Sequence, residues 1–165
     1  MKQPYFATDV NWHPFYAELL SWQGTPYRHL GNFKGRGADC TLFLATALLN
    51  AEILTKLEYE YYSRDWHAHG LADTVVDYYV AHERFLRPGL SFDVTDDMSI
   101  PPLRGDFIMM KMPPVKVIHH CSVLLSPDRM IHCINGVGVE TTRYADWWRR
   151  HSLRIVRIME AINGT

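Results

Sequence analysis

The run Gly35-Arg36-Gly37-Ala38-Asp39-Cys40-Thr41-Leu42-Phe43-Leu44 changes character at its midpoint. Before it the chain is rich in glycine and basic residues. After it apolar residues recur at helical spacing as far as about residue 54. A loop that delivers a cysteine to a helix start predicts a helix over 40–54, with Asp39 placed to cap it. The placing also bears on chemistry. The first N–H groups of a helix lack partners and the dipole is positive there, so a thiolate is favoured over a thiol.

Working outward, Trp12, Phe15, Tyr16, Leu19, Leu20 and Trp22 repeat at helical spacing over residues 10–22, up to Gly24. Gly24-Thr25-Pro26-Tyr27-Arg28 reads as a turn, and 30–38 as a Gly-rich loop. Residues 71–86 fit a second amphipathic helix through Leu71, Val75, Val76, Tyr79 and Val80, stopped by Pro88-Gly89. The stretch 90–103, with Asp96-Asp97 and Pro101-Pro102, reads as loop. Beyond it come short apolar or β-branched runs at Asp106–Met112, Val115–Leu125, Arg129–Ile134, Gly138–Thr142 and Leu153–Met159, divided by turn residues. Tyr144–His151 reads as a short helix between the last two. N-terminal helices followed by a C-terminal antiparallel sheet of about five strands give an α+β pattern.

At 165 residues the chain suits one domain with a real core. A formal net charge of -1 gives no electrostatic case for nucleic acid. No apolar run approaches the roughly 20 residues that span a membrane. The N-terminus has no apolar segment of the secretory kind, so synthesis in the cytosol without a signal peptide is the expectation. Three cysteines cannot all pair within one chain, and all three are read as free thiols.

Two histidines complete the chemical pattern. His120 and His132 flank the turn Ser126-Pro127-Asp128. A tight hairpin centred near 126 puts them opposite each other on neighbouring strands, about 5 Å apart at Cβ. Alternation then sends His119, Cys121 and Cys133 to the other face. One thiol and two histidines are the parts of a nucleophilic centre: Cys40 as nucleophile, His120 as base, His132 orienting His120. The Cys40 N–H is placed to serve an oxyanion. Zinc binding by these histidines and thiols is the alternative, and the opposite facing of the thiols argues against a compact tetrahedral site. The nucleophilic reading needs no cofactor and assigns no metal ligands.

Four blocks occur together and in order: Trp22-Gln23-Gly24-Thr25-Pro26-Tyr27-Arg28-His29-Leu30-Gly31, Gly37-Ala38-Asp39-Cys40-Thr41, Arg104-Gly105-Asp106-Phe107-Ile108, and His120 with His132 twelve residues on. In this the chain resembles the NlpC family of cell-wall cysteine peptidases, over about residues 12–158. The resemblance implies a papain-like α+β fold in one domain, 1–165, with a helical insert at about 58–100. It implies a Cys40–His120–His132 triad that hydrolyses γ-D-glutamyl amide bonds in peptidoglycan stem peptides through a thioester. It implies Tyr27, Asp39 and Thr41 as the oxyanion and substrate-binding set, and a structural role for Asp106. The aromatic stretch Glu58–Asp65 and Val139-Glu140…Trp147-Trp148-Arg149-Arg150 resemble the branch encoded with phage tails and gene-transfer agents. That branch implies phage-tail-like particle proteins as partners and delivery to the wall on such a particle.

The chain departs from the family pattern in two places. Leu42 stands where many relatives have Gly, and Cys121-Ser122 follow His120 where many have Val-Gly. Both bear on substrate choice more than on the nucleophile. His119 is the alternative base, and the twelve-residue spacing and strand parity favour His120. A non-catalytic tail or wall-binding component, or a thiol acyltransferase or deamidase on the same fold, remain the competing readings.

Overall fold

Helices come first and most strands later, as the pattern predicts. The computed structural model describes residues 1–59, 61–64 and 74–162. Among these the chain runs β1 (Lys2–Pro4), α1 (Asp9–Leu20), β2 (Asn32–Phe33), β3 (Gly37–Ala38), α2 (Leu42–Asn50), α3 (Thr74–His82), β4 (Leu90–Thr95), β5 (Phe107–Met110), β6 (His120–Ser126), β7 (Arg129–Ile134), β8 (Gly138–Arg143), α4 (Asp146–His151) and β9 (Ser152–Ala161). Residues 71–73, at the start of the predicted second helix, lie outside the described residues.

All but β2 and β3 build one antiparallel sheet. Its middle is β9. One edge of β9 pairs with β4, and the other pairs with β5 along its first half and β1 along its second. From β5 the sheet continues through β6 and β7 to β8. The five C-terminal strands are those the sequence pattern gives, and β1 and β4 join them from outside. The loop reading of 90–103 is therefore corrected over its first part. Leu90, Phe92 and Val94 alternate with Ser91, Asp93 and Thr95, the period of a strand, and β9 supplies the backbone partners.

α2 is apolar nearly all round, and that composition needs a covered helix. Leu42, Phe43, Leu44, Ala45, Ala47 and Leu48 are all buried. The helix packs with α1 (Trp12, Phe15, Leu19) and with the sheet face formed by Phe107, Cys121, Val123, Ile131 and Cys133. It ends sooner than the sequence suggests, because the N–H groups of Ile53 and Leu54 turn back to the Leu48 carbonyl. The opposite sheet face carries a second cluster of Ile108, Met110, Leu124, Met130, Tyr144 and Ile155, with Trp148 against it. Both faces of β5 are thus covered, which accounts for four successive buried apolar residues.

The strand entry is held by charge. Arg157 grips the buried Asp106 through two bonds, Nε to Oδ1 at 2.7 Å and Nη2 to Oδ2 at 2.8 Å, and the Leu103 N–H donates to the same carboxylate. The structural role expected of Asp106 follows from these contacts.

Candidate active site

Asp39 builds the junction at which Cys40 sits. Its Oδ1 accepts the N–H groups of Thr41 at 3.1 Å and Leu42 at 2.7 Å, the helix-capping role expected from its position. Its Oδ2 accepts the Leu30 N–H at 3.1 Å and the Tyr62 hydroxyl. The carboxyl is committed to the chain's own donors. Burial, and after it the charge of Cys40, push its pKa up to about 6.

The strand β3 leads into this junction. Ala38 bridges to Tyr27, with N–H···O bonds from Arg28 to Ala38 and from Ala38 to Pro26. That bridge brings the Gly-Thr-Pro-Tyr turn beside the thiol. β8 locks the turn from behind: Gly24 donates to the Val139 carbonyl and Val139 to the Thr25 carbonyl. Gly138 makes this approach possible. A Cβ there would lie 2.4 Å from the Thr25 oxygen, and its φ of +96° suits glycine.

Three elements hold the backbone of the cysteine. The Cys121 thiol donates to the Cys40 carbonyl at 3.1 Å, the Cys133 thiol to the Ala38 carbonyl at 3.2 Å, and the Tyr79 hydroxyl of α3 to the Thr41 carbonyl at 2.9 Å. The two thiols lie on the helix-facing side of the sheet, as the alternation predicts. The Cys40 N–H has no hydrogen-bond acceptor among the described residues.

Cys40 itself is half-buried, with its sulfur 3.7 Å from the Thr41 hydroxyl and 3.9 Å from the His119 carbonyl. The neighbouring Cys121 thiol, then His120, and then the Thr41 hydroxyl hold the Cys40 thiol well below its ordinary range, against the opposing cost of burial. Burial and the nearby Cys40 push Cys121 the other way. Of the two thiols, Cys40 is the one whose surroundings favour the thiolate. Tyr27 is raised, by burial first and the charge of Cys40 second, so its hydroxyl keeps its proton.

His120 and His132 meet as the parity argument predicts, with His120 Nε2 and His132 Nδ1 3.1 Å apart. They are not directly opposite. Ser122 faces His132, and His120 is its diagonal neighbour. The turn is centred at Pro127-Asp128, with Ser126 paired to Arg129, rather than at 126; the bulge between Leu124 and Ser126 then moves the register by one residue and returns the two histidines to one face. His132 is wholly buried, with Trp148 edge-on at 4.8 Å between ring centres. Burial, followed by the charge of His120, drives its pKa down to about 3, so it is neutral.

A cleft of about 680 Å³ opens over this group. Tyr27, Asp39, Cys40, Thr41 and His120 line it, and so do residues of the 58–100 stretch such as Tyr62 and Arg64. His132 lies behind His120. His119 lines the cleft too, but its Nδ1 is turned to the Val117 carbonyl at 3.1 Å. The contact of Cys121 with Cys40 and the bond from Tyr62 to Asp39 escaped the sequence reading. Neither leaves a local signal, since both join residues far apart in the chain.

No protein-family model and no curated protein matches this chain. Solved structures do. One is a protein of the NLP/P60 family from Staphylococcus aureus, described as similar to lipoprotein. It is 15% identical with a TM-score of 0.58, over 94% of this chain and 43% of that one. The chain thus spans less than half the length of that neighbour. A second is the NlpC/p60 domain of the peptidoglycan hydrolase SagA, 17% identical with a TM-score of 0.54, over 87% of this chain and 96% of that domain. At these identities the likeness is one of fold: this chain has the papain-like α+β fold of NlpC/p60 domains.

Proposed function

We propose that this chain is a cysteine peptidase of the NlpC kind that hydrolyses γ-D-glutamyl amide bonds in peptidoglycan stem peptides. The observation that carries the reading is the meeting of an acidified Cys40 thiol and His120, backed by His132, at one cleft. The fold it shares with a peptidoglycan hydrolase domain supports the choice of substrate class.

The chemistry follows from the placing of each group. The Cys40 thiolate attacks the amide carbonyl carbon, and the carbonyl electrons move onto oxygen. The Cys40 N–H and the Tyr27 hydroxyl are the donors for that oxyanion. His120, as imidazolium, gives its proton to the departing amine as the C–N bond breaks, leaving a thioester. His120 then takes a proton from water. The hydroxide adds to the thioester, the C–S bond breaks, and thiolate and imidazolium are restored.

The 58–100 stretch is read as an addition to the common domain that selects the substrate. Glu58, Tyr62, Arg64, Asp77 and Arg84 from it line the cleft. Delivery to the cell wall on a phage-tail-like particle is part of the same proposal. It is supported by the sequence blocks alone.

The test is hydrolysis of purified stem peptides, read by mass spectrometry. Cleavage after the γ-D-glutamyl unit is expected, and it should vanish in Cys40→Ala and His120→Ala while the folded state persists. Full activity in Cys40→Ala would end the assignment.

A further inference from the structure

We infer that Glu140 is the positioning residue for His132, extending the line Cys40–His120–His132 to a fourth member; this rests on the catalytic reading of Cys40 and His120. His132 and Glu140 are direct cross-strand partners on β7 and β8, so their side chains share the sheet face that carries His120. His132 Nε2 is buried and has no hydrogen-bond partner among the described residues. Glu140 Oε1 lies 3.5 Å from it. That is long for a hydrogen bond. The Glu140 side chain is 40% exposed and free to shorten the gap by a rotamer change, whereas the imidazole is held by Trp148.

The proton positions make this contact consequential. A neutral imidazole carries one N–H and one lone pair. If His132 held its proton on Nδ1, it would point that N–H at His120 Nε2. Imidazolium at His120 would then face donor against donor, and His132 Nε2 would present a buried lone pair to a carboxylate. With the proton on Nε2, both conflicts disappear. His132 Nδ1 accepts from His120 Nε2–H, His132 Nε2–H donates toward Glu140, and His120 is left with its Nδ1 side for Cys40. A neighbouring carboxylate that selects the tautomer of a working histidine is a known means of control. The burial that keeps His132 neutral leaves it a single proton to place, and Glu140 decides where.

The experiment uses the full chain with ¹⁵N-labelled histidine. Long-range ¹H–¹⁵N spectra should report His132 as the Nε2–H tautomer in the native protein. Glu140→Ala should lose that single form, showing exchange between tautomers, and kcat on a stem peptide should fall by about tenfold or more with KM unchanged. Glu140→Gln, whose amide oxygen still accepts, should restore the tautomer and most of kcat. Thermal unfolding should be alike in all three. An Nδ1–H tautomer in the native protein overturns the inference, as does a Glu140→Ala protein with native tautomer and kcat. The tautomer readout needs no turnover, so an inactive native protein would fail the peptidase reading and leave the Glu140 assignment to be decided by the spectra.

Discussion

The Cys121 thiol donates to the Cys40 carbonyl at 3.1 Å, so two thiols share one spot, where Cys40 is made more acidic and Cys121 less so. An ordinary thiol loses its nucleophilic form about tenfold per pH unit below about 8.5. Cys40 should therefore react with limiting iodoacetamide at a rate that falls less steeply with pH than that, while Cys121 and Cys133 stay unmodified in the folded protein. Peptide mapping by mass spectrometry gives all three rates at once. Equal rates at the three thiols would show that Cys40 is not activated.

Asp39 offers an independent view of the same charge. Its carboxyl should titrate near 6 in the folded protein, seen by carboxyl ¹³C shifts. In Cys40→Ala the midpoint should move down toward the ordinary 3.8, because the neighbouring thiolate is gone. The sign for stability follows. A carboxyl that binds its proton more tightly folded than unfolded adds stability as pH falls from about 6 to 3.8, and that contribution is lost as pH rises through 6. An unmoved midpoint in Cys40→Ala would mean the sulfur carries no charge.

Gly138→Ala should damage the site from a distance. The new Cβ meets the Thr25 carbonyl and the strained φ costs about 1–3 kcal/mol. Denaturant unfolding should show that loss. Relaxation by moving the Thr25–Tyr27 turn should lower activity further, with Cys40 alkylation less affected. A variant with native stability and native activity would remove the claim that this turn is positioned by close backbone approach.

Asp106→Ala removes one half of a buried ion pair and leaves the Arg157 guanidinium without its partner. The expected loss is about 3–5 kcal/mol. At temperatures where the variant remains folded, Cys40 should still alkylate quickly, because Asp106 lies outside the cleft lining. Stability unchanged by more than experimental error would contradict the buried-pair assignment.

How much of this was legible in the sequence varied with the range of the interaction. The α2 run, its Asp39 cap and the five later strands follow from local periodicity and turn residues. The shared face of His120 and His132 follows from parity. Their diagonal offset does not, because it depends on a turn centred past Ser126 together with the bulge at Leu125, and neither has a marker in composition. β4 carried its alternation openly, but Asp96-Asp97 and Pro101-Pro102 beyond it suggested loop. β1 left no signal at all. Lys2, Gln3 and Pro4 are strand only because Ala161, Glu160 and Met159 lie alongside. Glu140 was recoverable in principle, since a hairpin turning at Asn135-Gly136-Val137 sets it against His132.

The placing of β9 has a consequence for the order of events at the ribosome. This strand is made after the three it binds, yet it holds them together: β1, β4 and β5 are not neighbours of one another until residues 152–161 arrive between them. A nascent chain that already carries Cys40, His120 and His132 still lacks the strand that joins β4 and β1 to the rest of the sheet. The sheet beneath the cleft is therefore completed only once residues 152–161 have been made, later than the three reactive side chains themselves.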